Sequence, residues 1–173
     1  MILYQGVPGA FSHEACLAFV PAEEAVPVTT FADVVSGVAE GRAPLGMLPL
    51  ENSIAGPVPG VQAMIREAGL RVQSEHALPV RLHLLGCAGA RLEDLRSVAS
   101  HAMALKQCAG SLARLGLAWE EAENTAVAVR ALAGMNKGAL GSEAAAQIYG
   151  RTILRRDMQD FPDNTTRFAI VRL

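Results

Sequence analysis

The fold class is decided by the N-terminal stretch ILYQGVPGAFSHEACLAF, residues 2–19. Ile2–Gln5 is a short apolar run typical of a buried strand, and residues 6–9 carry two glycines and a proline that predict a turn. Apolar side chains then recur between Phe11 and Phe19 at the spacing of one helix face. The stretch therefore predicts one strand followed by one helix.

The same alternation continues along the rest of the chain. Glycines that follow apolar-periodic segments predict helix ends, and Thr29 or Thr30 and Asn124 predict helix starts. Further strands are predicted at residues 26–28, 45–50, near 98, 117–119, 139–140 and 167–172, and helices are predicted to end at Gly41, Gly69, Gly116 and Gly150. We expect an α/β protein with mainly parallel sheets, whose ligands lie where strand carboxyl ends meet helix N-termini that favour anions.

An extended stretch at residues 70–87 interrupts this pattern. It contains Pro79, which cannot donate to a sheet ladder, so we place a crossing between two lobes near this residue. Two such lobes would leave an inter-lobe cleft suited to a small anionic ligand.

Composition excludes several classes of function. The 173 residues are 51% hydrophobic and 18% charged, which favours a compact fold over a disordered chain. The net charge is -2 and no basic block is present, so we expect no nucleic-acid partner. Apolar runs are too short to span a bilayer and the first residues do not resemble a secretory signal, so we expect no membrane partner and a cytoplasmic location.

Cysteines and most histidines carry no recognisable site. The three cysteines lie far apart without Cys-x-x-Cys spacing, so no disulfide is expected. Three of the histidines lack the spacing of metal ligands, so no metal site is expected either. These residues are Cys16, Cys87, Cys108, His13, His76 and His83.

Two segments place polar groups or glycines at a strand end. Residues 6–10 lack the third glycine of a dinucleotide fingerprint, so they form either a simple turn or an anion site. Glu51-Asn52-Ser53 follows the predicted strand at 45–50, where polar side chains reach a cleft, although a hydrophilic loop that caps a helix at Pro57 explains it equally well.

Two further segments could carry chemistry. Ser100-His101 ends a predicted strand, where His101 could carry protons or simply bond to a helix start. Asn164-Thr165-Thr166-Arg167-Phe168 opens the last strand. There a guanidinium could bind a substrate carboxylate and a hydroxyl could donate to a leaving oxygen, while ordinary strand chemistry is the simpler reading.

Taken together, these segments resemble the prephenate dehydratase family. The resemblance covers the whole chain and rests on six pieces in the family's order rather than on any one of them. They are residues 4–6 with 9–12, 51–53 with Gly56 and Val58, 100–101 with 104–105 and 107–108, 124–126, 144–145 with 148–150, and 159–160 with 164–168.

The resemblance implies two lobes like those of a type II periplasmic binding protein. Residues 1–77 plus 160–173 would form the first lobe and residues 78–159 the second. It also implies a carbon-oxygen lyase, a hydro-lyase that removes carbon dioxide and water from prephenate to give phenylpyruvate on the route to phenylalanine. No cofactor or metal is implied, and association into a homodimer is expected.

Roles for single residues also follow from the resemblance. Thr166 would be the hydrogen-bonding general acid at the leaving hydroxyl, Arg167 would bind the side-chain carboxylate of the substrate, and Phe168 would pack beside its ring. Glu51 would orient neighbours, because a carboxylate beside a dianion is repulsive. The expected hydrogen-bond partners of the substrate oxygens are Asn52, Ser53, Ser100 and Thr125.

Some features depart from the family's pattern, and related functions stay open. Ala63 replaces a usual acidic residue, Pro57 replaces a small hydroxyl residue, and the sequence ends at Leu173 without the ACT regulatory domain of many relatives. Alternatives are an arogenate dehydratase, a relative that decarboxylates prephenate without aromatising it, and a non-catalytic carboxylate-binding module.

Overall fold

A computed structural model describes residues 1–173 as two compact units. The first unit contains Met1–Val7, Phe11–Val80 and Asp163–Leu173, and the second contains Pro8–Ala10 and Arg81–Pro162. None of the helices has the length and hydrophobicity needed to span a bilayer.

Strands and helices alternate along most of the chain, which confirms the predicted α/β class. The elements are β1 Ile2–Gln5, α1 Phe11–Phe19, β2 Ala25–Val28, α2 Phe31–Ala39, β3 Leu45–Asn52, β4 Gly56–Pro57, α3 Val61–Glu67, β5 Arg71–Pro79, β6 His83–Gly86, β7 Ser97–Ser100, α4 Ala102–Gln107, α5 Ala109–Arg114, β8 Ala118–Glu121, α6 Thr125–Ala131, β9 Lys137–Gly141, α7 Glu143–Ile148, β10 Thr152–Arg155 and β11 Thr165–Arg172. A single 3-10 turn lies at Leu92–Asp94.

The sheet of the first unit has the strand order β2-β1-β3-β11-β5, with β4 paired to β3. Strand β1 runs parallel to β2 and β3, whereas β11 runs antiparallel to both β3 and β5. Helix α1 packs on one face through Ala15 and Cys16, and helices α2 and α3 pack on the other through residues such as Val34 and Ile65. The final strand is therefore buried between two strands that come from earlier in the chain.

The sheet of the second unit has the strand order β10-β6-β9-β7-β8. Strand β9 is parallel to β7, which is parallel to β8, while β6 pairs antiparallel with β9 and β10. Helices α6 and α7 cover Leu85 and Ala139 through small residues, including Ala128 and Ala145. Both sheets are thus mixed, and the expectation of mainly parallel sheets was wrong, because β5, β6, β10 and β11 return against their neighbours.

Helix ends follow local sequence closely. Thr30 caps α2 in a capping box with Asp33, and Asn124 caps α6 by accepting from the Val127 N–H. The four glycines predicted to end helices all have positive φ, which only glycine adopts at little cost. The caps at Thr30 and Asn124 and the four glycine stops were therefore predicted correctly from the sequence.

Two local predictions were wrong, and one strand was missed. The helix predicted to end at Gly116 is interrupted at Cys108, because the Asp160 carboxylate accepts from the Gly110 and Ser111 N–H groups and starts a new helix there. Pro57 does not begin a helix but lies in β4, and α3 begins only at Val61. Strand β10 was not predicted at all.

Candidate active site

The carboxyl end of β3 meets the start of β11 in the first unit, and a side-chain network joins them. Asn52 pairs with Thr166 across the two strands. The Asn52 Nδ2 donates to Thr166 Oγ1 at 2.9 Å and to Asn164 Oδ1 at 2.8 Å. A third acceptor, the Thr165 carbonyl, lies farther away at 3.4 Å. The structure therefore brings together two predicted residues, Asn52 and Thr166.

The Asn52 amide is held on its oxygen side as well. Its Oδ1 accepts from the Ile54 and Ala55 N–H groups, both at 2.9 Å, in the turn that follows β3. An asparagine bonding to the backbone two and three residues ahead is a common turn device. Because both donors are backbone N–H groups, the oxygen must face them and the NH₂ group must face Thr166.

The Thr166 hydroxyl accepts from Asn52 and has its own proton available. A hydroxyl offers one donor and two acceptor positions, and Asn52 uses only an acceptor position. The Thr166 side chain is partly exposed. A partly exposed hydroxyl that already accepts one bond is arranged to donate to a bound molecule.

Ser53 is used by the backbone of the opposite strand. Its Oγ donates to the Asp163 carbonyl at 3.0 Å and accepts from the Thr165 N–H at 2.9 Å, while its own N–H bonds to the Thr165 carbonyl at 2.8 Å. These bonds fix the entry to β11. Ser53 therefore has a structural role, and its contact with substrate stays a prediction.

Arg167 lies on the opposite face of the sheet from Thr166. Successive strand residues alternate between faces, and Arg167 shares a groove with Leu50, Ile65 and Val72 under α3. Its Nη2 donates to Glu51 at 2.9 Å and its Nη1 donates to Glu75, and these carboxylates raise the pKa of Arg167 above its ordinary value. The guanidinium is thus held by two carboxylates from flanking strands, and its predicted bond to a substrate carboxylate stays a prediction.

Phe168 belongs to the core of the first unit. It is 2% exposed and packs with Tyr4, Leu78 and Ile170 on the α1 face. Neighbouring His76 stacks on Phe19 at a ring-centroid distance of 4.6 Å. Burial in the sheet accounts for this phenylalanine, and its predicted packing beside a substrate ring stays a prediction.

Two predicted residues lie in the second unit. Ser100 ends β7, is fully buried, and donates to the Leu140 carbonyl at 3.2 Å. Thr125 is the first residue of α6, directly after the Asn124 cap, and is partly exposed. His101 accepts from the Met103 N–H and so caps α4, which is the simpler of the two readings of the sequence. Thr125 is the more accessible of the two predicted residues.

Asn164 is a site residue to which sequence reasoning gave no role. Its side chain is 1% exposed, and its Oδ1 accepts from Asn52. The sequence offered one hint of this role. Asn164 is an amide directly before the threonines that open the last strand, and a polar group buried at such a position needs a hydrogen-bond partner.

Two of the three cysteines are buried, and the structure contains no cluster of metal-ligating side chains. No group of three or more His, Cys, Asp and Glu side chains is placed to hold a metal ion. Burial raises the pKa of the Cys16 and Cys108 thiols to about 12, so these thiols stay protonated near neutral pH. The network of β3 and β11 offers hydrogen-bond donation instead.

Comparison with known proteins assigns the chain to a family. The profile of the family described as prephenate dehydratase matches residues 2–173. The chain belongs to the prephenate dehydratase family. A bifunctional N-acyl-homoserine lactone acylase/prephenate dehydratase of Komagataeibacter europaeus is 41% identical over 98% of this chain and 62% of its own length. Arogenate dehydratase/prephenate dehydratase 2 of Arabidopsis thaliana is 39% identical over 98% of this chain and 45% of its own length.

Two solved structures share the fold of this chain. A protein described as GqqA, a novel type of quorum quenching acylase, superposes with a TM-score of 0.91 at 40% identity and covers 99% of this chain and 63% of its own. The prephenate dehydratase of Staphylococcus aureus has the same fold, with a TM-score of 0.88 at 23% identity over 99% of this chain and 66% of its own. The chain spans about half to two thirds of the length of these family members.

Proposed function

We propose that this chain catalyses the decarboxylating dehydration of prephenate to phenylpyruvate, as a hydro-lyase of aromatic amino-acid biosynthesis. The observation that carries the proposal is the bond from the Asn52 amide to Thr166 Oγ1, in a chain of this family. An amide that donates to a hydroxyl oxygen polarises its O–H bond and makes it a better donor. The Thr166 proton is then available for a leaving oxygen.

In the proposed reaction the electron pair of the ring C–COO⁻ bond moves into the ring as carbon dioxide departs. The C4–O bond breaks, the C4 hydroxyl leaves as hydroxide, and one proton converts it to water. Aromatisation supplies much of the driving force. The Thr166 hydroxyl donates a hydrogen bond to the departing oxygen as negative charge develops there. Because a threonine hydroxyl is a weak acid, it acts as a positioned donor and the solvent supplies the proton.

Both charged groups of the substrate still need partners. The hydrogen bond from Thr125 to a substrate oxygen stays a sequence-based prediction. Arg167 would have to exchange Glu51 or Glu75 for a substrate carboxylate. We propose that Thr166 contacts the leaving oxygen and that Asn52 polarises the Thr166 hydroxyl. Arg167 does not contact the leaving oxygen in this proposal.

The decisive experiment incubates purified protein with prephenate and, separately, with arogenate. We expect release of carbon dioxide and an aromatic product, phenylpyruvate from prephenate. Aromatic product from arogenate alone would instead favour an arogenate dehydratase. Carbon dioxide without an aromatic product would favour a decarboxylase. Stoichiometric binding without turnover would favour a carboxylate-binding module and contradict the proposed activity.

A second candidate activity is hydrolysis of N-acyl-homoserine lactones. It is favoured by the relative that is 41% identical and carries both activities in its name. The same preparations incubated with an N-acyl-homoserine lactone would release a free fatty acid if this activity were present. Comparison of both reactions in a Thr166→Val variant would show whether they share that hydroxyl.

A further inference from the structure

We infer that Asn164 is a positioning residue for the dehydration, acting through Asn52 on the Thr166 hydroxyl. The inference rests on the proposed function and adds to it a residue whose side chain need not touch the substrate. Its starting observation is the 2.8 Å bond that Asn164 Oδ1 accepts from Asn52 Nδ2.

Asn164 is itself firmly placed. Its side chain is 1% exposed, and its backbone carbonyl accepts from the Val80 N–H at 2.8 Å, just beyond the end of β5. The preceding carbonyl, that of Asp163, accepts from Ser53 at 3.0 Å, just beyond the end of β3. The Oδ1 of Asn164 is therefore a fixed acceptor at the junction of three strands.

The geometry of an amide makes this acceptor important. The two N–H bonds of Asn52 Nδ2 lie in one plane at a fixed angle, so directing one of them also directs the other. Asn164 takes one N–H, and the other then points to Thr166 at 2.9 Å. A carbonyl oxygen can only accept, so Asn164 aligns one N–H of the Asn52 NH₂ group and the Thr166 hydroxyl accepts the other.

A competing acceptor lies close by. The Thr165 carbonyl is 3.4 Å from Asn52 Nδ2, a long and weak contact while Asn164 is in place. Without the Asn164 oxygen, the NH₂ group loses its shortest bond. The Ile54 and Ala55 N–H groups still hold the amide oxygen, so the amide plane tilts about this anchor and brings one N–H towards the Thr165 carbonyl. The Thr166 hydroxyl would then lose the donor that polarises it, and its proton would no longer be directed at the leaving oxygen.

The test compares two variants of nearly unchanged side-chain size. Asn164→Leu removes the accepting oxygen, and Asn164→Asp keeps it. We expect Asn164→Leu to lower kcat for prephenate by about 10- to 100-fold, the scale of misplaced catalytic groups, with KM changed less than about threefold. Asn164→Asp should keep kcat within about tenfold of wild type. Equal kcat in wild type and Asn164→Leu would overturn the inference while leaving the proposed function intact.

A second background separates positioning from simple structural support. In Thr166→Val protein, adding Asn164→Leu should lower the residual rate by less than about twofold, because the group through which Asn164 acts is gone. An undiminished effect in that background would overturn the inference. Crystal structures add a readout besides rate, since the Asn52 Nδ2 to Thr166 Oγ1 distance should exceed about 3.5 Å in Asn164→Leu and stay at bonding distance in Asn164→Asp.

Two outcomes complete the design. If Asn164→Leu does not fold, as judged by circular dichroism, Asn164→Asp carries the test alone, and a loss of kcat greater than about 100-fold would overturn the role of the oxygen. If wild-type protein produces no aromatic product from prephenate or arogenate, the proposed function fails and the inference fails with it. If wild-type protein is active and substitution of Asn164 does not change kcat, only the inference is contradicted.

Discussion

Thr166 is the residue on which the proposed chemistry depends most directly. Its hydroxyl accepts from Asn52, and the proposed reaction uses its O–H to donate a hydrogen bond to the leaving oxygen. Thr166→Val keeps the shape and removes the hydroxyl, so we expect kcat for prephenate to fall by about 10²- to 10³-fold, the usual cost of removing one hydrogen-bond donor to a developing negative charge. Thr166→Ser should retain most of the activity. Steady-state formation of phenylpyruvate measures both variants.

A matched control for this substitution is available in the second unit. Thr152 is an exposed threonine in β10, and Thr152→Val makes the same chemical change away from the Asn52 network. We expect it to leave kcat unchanged within about twofold, as for other surface substitutions. Full dehydratase activity in a folded Thr166→Val protein would contradict the role assigned to the hydroxyl.

Single residues also show how much of the candidate site could be predicted from the sequence. Asn52 and Thr166 were both predicted, and the structure bonds them to each other. The resemblance assigned Arg167 to the substrate carboxylate and Thr166 to the leaving hydroxyl, and the structure places the two side chains on opposite faces of the sheet. Adjacent strand residues face opposite sides of a sheet, so the strand predicted there already contained the signal that they diverge. The role of Asn164 depends on a partner 112 positions away, which no local pattern reveals.

Among the elements, the charged cluster of Glu51, Arg167 and Glu75 links three neighbouring strands, β3, β11 and β5. We expect Glu75→Gln to lower the free energy of unfolding by at most about 1 kcal/mol, since the pair is partly exposed to solvent. KM for prephenate should stay within about twofold of wild type, because the guanidinium of Arg167 links neighbouring strands through its ion pairs. Urea unfolding and steady-state kinetics measure the two effects.

The opposite kinetic result would change the role of Arg167. If Glu75→Gln lowered KM several-fold, removal of the competing carboxylate would have freed the guanidinium for substrate, as the sequence-based prediction requires. Gln73→Glu is a control on the same strand, β5. It adds a negative charge, where Glu75→Gln removes one, at an exposed position. Its effect on KM should be within about twofold.

The break between α4 and α5 makes a separate prediction. Asp160 accepts from the Gly110 and Ser111 N–H groups at 2.8 and 3.0 Å and so caps α5 from outside the helix. Asp160→Ala should lower the free energy of unfolding by about 1–2 kcal/mol, as for other lost caps, and Asp160→Asn by less. Asp163→Ala, at an exposed aspartate, is the matched control for urea unfolding, and an equal loss in both variants would contradict the capping role.

The elements as a whole divide into those with local causes and those without. Helix starts at Thr30 and Asn124 and stops at the positive-φ glycines were predictable, because caps and left-handed turns depend on nearby residues. The antiparallel direction of β11 between β3 and β5 was not, because strand pairing joins distant segments and the apolar pattern of a buried strand is the same in either direction. Strand β10 is short, lies at a sheet edge, and carries no turn signal of its own.

For the molecule as a whole, we expect stability to fall as the solution becomes acidic below about pH 6.5, the ordinary histidine pKa. His83 is 2% exposed, and burial lowers its pKa, although charged groups around it act in both directions. The folded chain keeps His83 neutral, with Nδ1 accepting from the Asp157 N–H at 3.1 Å, where Asp157 has the unusual φ of 53°. The charged neighbours are Asp157, Arg156, Glu143 and Arg81.

The sign follows from proton binding by the two states. Below about pH 6.5 the unfolded chain protonates this histidine and the folded chain does not, so acid favours the unfolded state until the lowered pKa of the folded state is reached. One such group changes the free energy of unfolding by at most about 1.4 kcal/mol per pH unit. Burial also lowers the pKa of His13, which adds a change of the same sign, so the contribution of His83 must be measured as a difference between variants.

His83→Asn isolates that contribution, because its Oδ1 can replace Nδ1 as the acceptor for Asp157 while carrying no titrating group. Urea unfolding at pH 7.5 and at pH 5.5 should show a smaller loss of stability on acidification in His83→Asn than in wild type. His101→Asn is the matched control, since this exposed histidine caps α4 and asparagine is also a good cap. An acid-induced loss that is the same in His83→Asn and wild type would show that the buried imidazole is not the group through which acid weakens the fold.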